Sequence, residues 1–177
     1  MRPTLTHAGV YVRDIDRMID FYTRVLDLRV SDCGHGTSVQ RELVFLSNDP
    51  DEHHQLVLVT GRPDDAPSTV QQLAFEVDAL ADVRAGRRRA VDAGATDVKC
   101  LSHGNAWSVY FADPEGNTIE IYTDTPWHVP QPFANPLDLD ESDDVIYAQT
   151  EAECRATPGF LPREEWAATR RASSSST

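Results

Sequence analysis

Short runs of apolar residues, several of them alternating with polar ones, divide the first 124 residues into strands and helices. Alternation predicts strands, because successive side chains of a strand point to opposite faces. The predicted strands are Leu5–Val12, Leu43–Leu46, His54–Thr60, Gln72–Val77, Val98–Leu101, Trp107–Phe111 and Thr118–Thr123. Apolar residues three and four positions apart predict one helix over Asp14–Leu26, with Asp14 as its N-cap, and another over Leu80–Ala93.

These elements occur in the same order twice. Val12–Ile15 aligns with Val77–Leu80 at an offset of 65 residues, and Asn48–Pro50 aligns with Ala112–Pro114 at an offset of 64 residues. A nearly constant offset indicates a structural duplication. We therefore predict an α+β fold of two βαβββ modules, in which each curled sheet is backed by a helix and the two sheets enclose a cleft.

The repeat also predicts where the chain divides. Residues 1–125 form the two-module domain, with modules at about 4–61 and 69–124, and residues 126–177 form a C-terminal extension. The loops Ser31–Gln40 and Gly61–Ser68 are expected to line the cleft and to influence substrate choice.

The extension differs in composition from the modules. The proline-rich segment at its boundary with the modules, Thr125–Pro136, is expected to follow the surface without adding a strand, since proline lacks the backbone donor of a ladder. An acidic run then leads into a predicted short helix near Val145–Arg155, and the polar end Arg170–Thr177 is expected to be disordered.

The charge balance excludes several classes of partner. The chain carries 29 acidic and 16 basic residues, for a formal net charge of −13, so nucleic acid and anionic membrane surfaces are not expected partners. No long apolar run predicts a membrane helix, and the three cysteines lie too far apart for a zinc-thiolate motif or a disulfide framework. We therefore expect a cytoplasmic protein.

Polar side chains recur on one face of the predicted strands. His7 shares a strand face with Gly9, and the offset of 65 maps His7 onto Gln72. The offset of 64 maps Glu120 onto Leu56, and His54 lies two residues before Leu56 on the same predicted face. The opposite faces are apolar, so the pattern predicts sheets with an apolar back and a front that carries His7, His54, Gln72 and Glu120.

The last predicted hairpin strengthens this pattern. The segment His103–Tyr122 (HGNAWSVYFADPEGNTIEIY) places His103, Tyr110 and Glu120 around a turn formed by Asp113–Asn117. With the paired βαβββ order over residues 4–124, the chain resembles the vicinal-oxygen-chelate superfamily of glyoxalase I, fosfomycin-resistance enzymes and type I extradiol dioxygenases. The hairpin looks most like the version found in the extradiol dioxygenases.

The resemblance implies a metal site and a reaction. The family's metal ligands match His7, Gln72 and Glu120, and its residues for substrate binding and acid–base steps match His54, His103 and Tyr110. It implies Fe(II)-dependent cleavage of a catechol-like aromatic ring with O2, and a homodimer. Two histidines and one carboxylate on one face of Fe(II) leave positions open for substrate and O2.

One residue departs from the dioxygenase pattern and leaves alternatives open. Gln72 stands where these enzymes have a histidine, and an amide oxygen is a weaker ligand for Fe(II) than imidazole is. The alternatives are a glyoxalase-like isomerase or lyase that uses Mn, Zn, Ni or Co, and a bleomycin-resistance-like module that binds small molecules without a metal. The glyoxalase pattern would place a carboxylate on the fourth strand, where the repeat puts Leu56.

Overall fold

The computed structural model describes residues 3–37 and 40–174. Their contacts form two compact units. The first comprises the residues up to Gln71 with Arg89–Thr96 and Ala112–Asn117, and the second comprises Gln72–Arg88, Asp97–Phe111 and the residues from Thr118 onward. Each unit contains a sheet and at least one helix, as the α+β prediction requires.

The first unit contains a four-stranded sheet with helix α1. Its elements are β1 (Ala8–Val12), α1 (Ile15–Leu26), β2 (Arg29–His35), β3 (Glu42–Ser47) and β4 (Leu56–Thr60). The strand order is β1-β4-β3-β2, with β1 and β4 parallel and the other pairs antiparallel.

Helix α1 packs its apolar side against β4 of this sheet. It begins where the Asp14 carboxylate accepts a hydrogen bond from the Arg17 N–H at 3.0 Å, and it ends at Asp27, whose φ is 55°. Met18, Phe21 and Tyr22 are buried on the inner side, as the predicted spacing requires.

The second unit contains a five-stranded sheet and the C-terminal extension. Its elements are β5 (Leu73–Glu76), α2 (Leu80–Asp92), β6 (Thr96–Ser102), β7 (Ala106–Ala112), β8 (Thr118–Asp124), β9 (Trp127–His128), β10 (Asn135–Pro136), α3 (Asp143–Ala156), β11 (Leu161–Pro162) and α4 (Arg163–Ser174). The sheet order is β10-β6-β7-β8-β5, β5 and β8 are parallel, and β9 pairs separately with β11. A Cβ at Gly86 would lie 2.6 Å from Ile121 Cδ1, so this glycine lets α2 approach β8 closely.

The strand β2 corrects the prediction of a loop over Ser31–Gln40 at residues 31–35, and residues 38 and 39 of that loop lie outside the described part of the chain. All seven residues of Arg29–His35 are exposed at the edge of their sheet, so the strand has no buried face and no apolar alternation to reveal it. Backbone pairing with β3 forms this strand instead.

The register of β4 corrects the predicted correspondence between the repeats. Glu120 lies opposite Ala74, and the first-module counterpart of Ala74 is Gly9, which lies opposite Val57 rather than Leu56. Leu56 pairs with Ala8 on the other face and is buried, so the prediction that His54 and Leu56 continue the face of Glu120 is wrong. The connection that follows Pro50 is one residue longer than the one that follows Pro114, which shifts the alternation by one position.

The extension is more regular than its composition predicts. The short strands β9 and β10 interrupt the proline-rich segment, which was expected to add no strand. Helix α3 confirms the helix near Val145–Arg155, with Ser142 as its N-cap. Helix α4 continues to Ser174, which contradicts disorder over residues 170–174, and residues 175–177 lie outside the described part of the chain.

The composition of α4 explains why this segment is helical. Ala, Arg and Glu are strong helix formers, and Glu164 and Glu165 place negative charge in the first turn. In the part of the chain that the structure describes, no helix is long and apolar enough to cross a bilayer.

Candidate functional site

The predicted site residues fall into two groups, one in each unit. His7 and His54 lie in the first unit, whereas Gln72, His103, Tyr110 and Glu120 lie in the second. The structure brings the members of each group together. The proposed metal set of His7, Gln72 and Glu120 is divided between the units, so its completeness stays a prediction.

Glu120 is the centre of the second group. It lies on β8 with only 6% of its surface exposed. The Ser108 hydroxyl donates to Glu120 Oε1 at 2.7 Å, and the Tyr110 hydroxyl donates to the same oxygen at 2.6 Å. Gln72 Nε2 donates to Oε2 at 2.7 Å. Three neutral donors therefore hold this buried carboxylate.

The positions of these donors follow from strand geometry. Ser108 and Tyr110 are two residues apart on β7, so they share a face, and β7 is the neighbour of β8 in the sheet. Gln72 immediately precedes β5, the neighbour of β8 on its other side. Carboxylate burial is stabilised because each oxygen has at least one donor.

His103 extends this network away from the strands. Its Nε2 lies 2.9 Å from the Tyr110 oxygen, and its Nδ1 lies 2.7 Å from the carbonyl oxygen of Phe133. Gln131 Nε2 donates to the backbone oxygen of His103 at 2.8 Å. The segment before β10 therefore fixes both the backbone and the ring of His103.

The donor and acceptor roles of Phe133, His103, Tyr110 and Glu120 limit where the protons of this hydrogen-bond network reside. The Phe133 carbonyl can only accept, so His103 Nδ1 carries a proton. Tyr110 has one hydroxyl proton and two neighbours, His103 Nε2 and Glu120 Oε1. Tyr110 can donate to only one of them at a time: a proton on Nε2 would let Tyr110 donate to Glu120, and a proton on Glu120 would let Tyr110 donate to His103. Both arrangements hold the same number of protons, so one proton can shift between Nε2 and Oε1 through the phenol.

The phenol itself resists ionisation. Burial raises the pKa of Tyr110, and the hydrogen bond to the Glu120 carboxylate together with its negative charge raises this pKa further. Tyr110 therefore remains a phenol across the physiological pH range and acts as a donor in the chain.

A cavity of about 390 Å³ opens at this network. It is lined by Gln72, His103, Asn105, Ala106, Tyr110, Glu120, Tyr122, Asp124, Trp127, His128, Gln131, Arg163 and Trp166. The volume is within the range of about 300–1,000 Å³ that small-molecule pockets span. Its lining combines several flat aromatic rings with a few converging polar groups.

Several residues of the site were not predicted from the sequence. Ser108 could have been predicted, because it lies two positions before Tyr110 and therefore on the same face of the strand. His128 also lines the cavity: it is half-buried and stacks on Trp166 with ring centroids 4.6 Å apart and planes at 14°. No local pattern in the sequence links these two residues.

The first unit holds the other predicted histidines. The rings of His7 and His54 have centroids 4.3 Å apart, and Nδ1 of His54 lies 2.9 Å from Nδ1 of His53. The Phe45 ring packs against His54 with a centroid distance of 5.1 Å. His7 immediately precedes β1, and His54 lies in the loop before the parallel strand β4.

The pKa of His54 lies below the ordinary value for histidine. Partial desolvation is the largest cause, and the neighbouring His7 and His53 rings lower this pKa further. His54 is therefore mainly neutral near pH 7, with a ring nitrogen able to accept a proton.

We expect this shift to be visible by NMR titration of the imidazole signals. The midpoint for His54 should lie below that of an ordinary histidine, and His7→Ala should raise it because a neighbouring ring that lowers the pKa of His54 is removed. His35→Ala, at an exposed position outside the cluster, is the control. A midpoint at or above the ordinary value would contradict this assignment.

The same shift has a consequence for stability. Because the fold disfavours the charged form of His54, this residue should lower the free energy of unfolding only as the pH falls below its unfolded-state pKa.

The donor set of the second unit fits one side of a divalent metal site. Carboxylate and amide oxygens are ligands for hard cations, and a cation would balance the buried charge of Glu120. Gln72 presents its Nε2 to the carboxylate, so its amide would have to turn to offer Oε1. Among the residues that the structure describes, no three His, Cys, Asp or Glu side chains form a group able to hold a metal ion.

Comparison with known proteins agrees with this architecture. The chain is 27% identical over 166 residues to biphenyl-2,3-diol 1,2-dioxygenase 3 of Rhodococcus globerulus, a match that covers 90% of this chain and 78% of that protein. A glyoxalase/bleomycin resistance protein/dioxygenase domain from Frankia sp. EAN1pec superposes with a TM-score of 0.61 at 21% identity, over 71% of this chain and 94% of that one. The fosfomycin resistance protein FosX of Mesorhizobium loti gives a TM-score of 0.55 at 24% identity, over 71% and 94% of the two chains.

A family model also matches the chain over its two modules. The model of the Glyoxalase/Bleomycin resistance protein/Dioxygenase superfamily matches residues 4–121, which is most of the two repeated modules. The chain belongs to the Glyoxalase/Bleomycin resistance protein/Dioxygenase superfamily.

Proposed function

We propose that this protein is a metal-dependent extradiol-type dioxygenase that cleaves a catechol-like aromatic ring with O2. The observation that carries the proposal is the buried Glu120 carboxylate, which is hydrogen-bonded to Tyr110 in a cavity with aromatic walls. The similarity to a biphenyl-2,3-diol dioxygenase over 90% of the chain supports ring cleavage over other reactions of the superfamily.

The metal is proposed to bind through Glu120, Gln72 and His7. We propose Fe(II) as the metal, with Mn, Zn, Ni or Co as alternatives. A bound divalent metal would supply Lewis acidity that lowers the pKa of the diol hydroxyls, and Fe(II) would add the redox chemistry that O2 requires. Gln72 then serves as a neutral amide ligand where related dioxygenases carry a histidine.

The other polar groups are proposed to transfer protons and to orient the substrate. The Tyr110 hydroxyl donates a hydrogen bond toward a substrate oxygen or toward Glu120, and it stays protonated because its pKa is raised. His103 Nε2 supplies or accepts the proton that the phenol passes along. His54, neutral near pH 7, is proposed to take a proton from a diol hydroxyl.

Oxygen consumption tests this proposal. The protein is purified without air, loaded with Fe(II), and supplied with a panel of catechols in an oxygen-electrode cell. We expect O2 uptake together with the yellow colour of a ring-opened product. An isomerase, a lyase or a binding module would consume no O2.

Tyr110→Phe should lower the rate of this reaction by about 10²-fold, because the phenyl ring keeps its volume but can no longer pass a proton to or from His103. Substrate affinity should change much less than the maximal rate. Tyr122→Phe, another hydroxyl deletion in the cavity wall, is the matched control. If Tyr110→Phe kept the full rate, the proton path through the phenol would be wrong.

One observation favours a second candidate, a module that binds a small molecule without a metal. Both oxygens of Glu120 already accept hydrogen bonds from the protein's own side chains, so the network is satisfied without a cation. A protein that binds catechols, yet retains no metal after Fe(II) loading, would support this candidate. A glyoxalase-like carboxylate on β4 is disfavoured, because the position equivalent to Glu120 is Val57.

A further inference from the structure

The C-terminal extension supplies part of the cavity wall. Trp127, His128 and Gln131 come from its first segment, and Arg163 and Trp166 come from the first turn of α4. The superfamily model ends at residue 121, so these groups lie outside the sequence that the superfamily shares. They therefore distinguish this cavity from the common scaffold.

Three contacts fix the start of α4 at this wall. Strand β11 pairs with β9, with Leu161 opposite His128. The Arg163 N–H donates to the Pro126 oxygen at 2.9 Å, and the Arg163 guanidinium forms an ion pair with Asp124. Backbone and side-chain contacts thus hold the first turn of the helix on both sides.

Trp166 is placed by this anchored turn. It lies three residues after Arg163, almost one helical turn, and its ring stacks on His128. The Trp166 ring is only half-buried although it lines the cavity, so part of its aromatic surface is available to a ligand. Two flat rings in contact form a preorganised aromatic surface.

We propose that Trp166, supported by His128, determines substrate specificity by binding a flat, uncharged aromatic substituent on the diol. The inference rests on the proposed function, because it assigns the diol itself to the groups around Glu120. Arg163 is paired with Asp124, so its charge is compensated and the wall favours a neutral substituent over a carboxylate. The substrate class is therefore a diol whose ring carries a second aromatic group.

The comparisons are consistent with this role for the extension. The match to the biphenyl-2,3-diol dioxygenase covers 90% of the chain, so it continues well beyond residue 121. The matches to the Frankia domain and to FosX each cover 71% of the chain.

Equilibrium binding measured without O2 tests the inference separately from catalysis. Calorimetric titrations of the 177-residue chain use biphenyl-2,3-diol, catechol and a catechol carboxylic acid as probes. Trp166→Ala should weaken binding of the two-ring diol about tenfold, while its effect on catechol should be less than about twofold. Trp166→Phe should recover much of the difference. Glu164→Ala, at an exposed position on the same helix, should match the unmodified protein.

Each outcome of these titrations either supports or overturns the specificity role of Trp166. Equal losses for the one-ring and two-ring diols in Trp166→Ala would overturn the inference, since they would indicate a general structural defect. Failure of the unmodified protein to prefer the two-ring diol, or tighter binding of the carboxylic acid, would also overturn it. If the Trp166-dependent preference is found but no O2 is consumed, the specificity role stands and the proposed dioxygenase function fails.

Discussion

Glu120→Gln is expected to lower O2 uptake by about 10³-fold or more, since it removes the negative charge proposed to bind the metal. The substituted amide also brings its own donors into a site where Ser108, Tyr110 and Gln72 already donate. The substituted amide can accept from Ser108 and Tyr110 through its oxygen while its NH2 faces Gln72, whose amide would have to turn, so the lost charge is the main change. Steady-state O2 consumption and elemental mass spectrometry measure the rate and the metal content.

Glu76→Gln is the matched control for this experiment. Glu76 lies on β5 of the same sheet and is exposed, so the same change of charge should leave both rate and metal content unaltered. If Glu120→Gln kept the metal and the rate, Glu120 would not be a ligand and the proposed metal site would have to be abandoned.

Asp113→Ala is expected to destabilise the protein by about 3–4 kcal/mol, because it removes one buried carboxylate that satisfies four donors. The Tyr22 hydroxyl donates to Asp113 Oδ2 at 2.9 Å, and the side-chain amide of Asn117 donates to the same oxygen at 2.7 Å. The backbone N–H groups of Glu115 and Asn117 each donate to Oδ1 at 2.9 Å. Burial and the Asp113 charge raise the pKa of Tyr22, so this phenol remains a donor.

Urea unfolding followed by circular dichroism measures the loss. Asp113→Asn retains one carbonyl oxygen and should cost roughly half as much. Asp51→Ala removes an exposed aspartate in the corresponding connection of the first module and should cost less than about 0.5 kcal/mol. A loss below about 1 kcal/mol for Asp113→Ala would show that these hydrogen bonds contribute little to the folded state.

The repeated order of strands and helices could be predicted because it depends on local periodicity. Helix α1 has its apolar residues at clear helical spacing and an aspartate N-cap, and its observed bounds agree with the prediction to within one residue. The turn residues Asp113–Asn117 are likewise flanked by segments of alternating polarity. The observed strands β7 and β8 agree closely with the strands predicted there.

The register of β4 could not be predicted, because Leu56, Val57 and Leu58 are all buried. A strand with apolar residues on both faces contains no alternation from which to assign a face. The edge strand β2 could not be predicted for the opposite reason: its residues are all exposed, so it has no apolar face.

The candidate site was accessible to sequence analysis only where its parts are close along the chain. His103, Tyr110 and Glu120 belong to one hairpin, and the structure joins them in one hydrogen-bonded chain, although their catalytic roles stay predictions. The stack of His128 on Trp166 joins residues 38 positions apart through a two-residue ladder, which no local pattern indicates. The division at residue 125, the homodimer and the identity of the metal also remain proposals.

Isotope incorporation distinguishes oxidative ring cleavage from every reaction that leaves O2 unused. The Fe(II)-loaded protein is incubated with biphenyl-2,3-diol under isotopically heavy dioxygen, and the product is analysed by mass spectrometry. We expect a ring-opened product that has gained both heavy oxygen atoms from one O2, with no such product from Glu120→Gln. Recovery of unchanged diol, or of a product without heavy oxygen, would contradict this expectation.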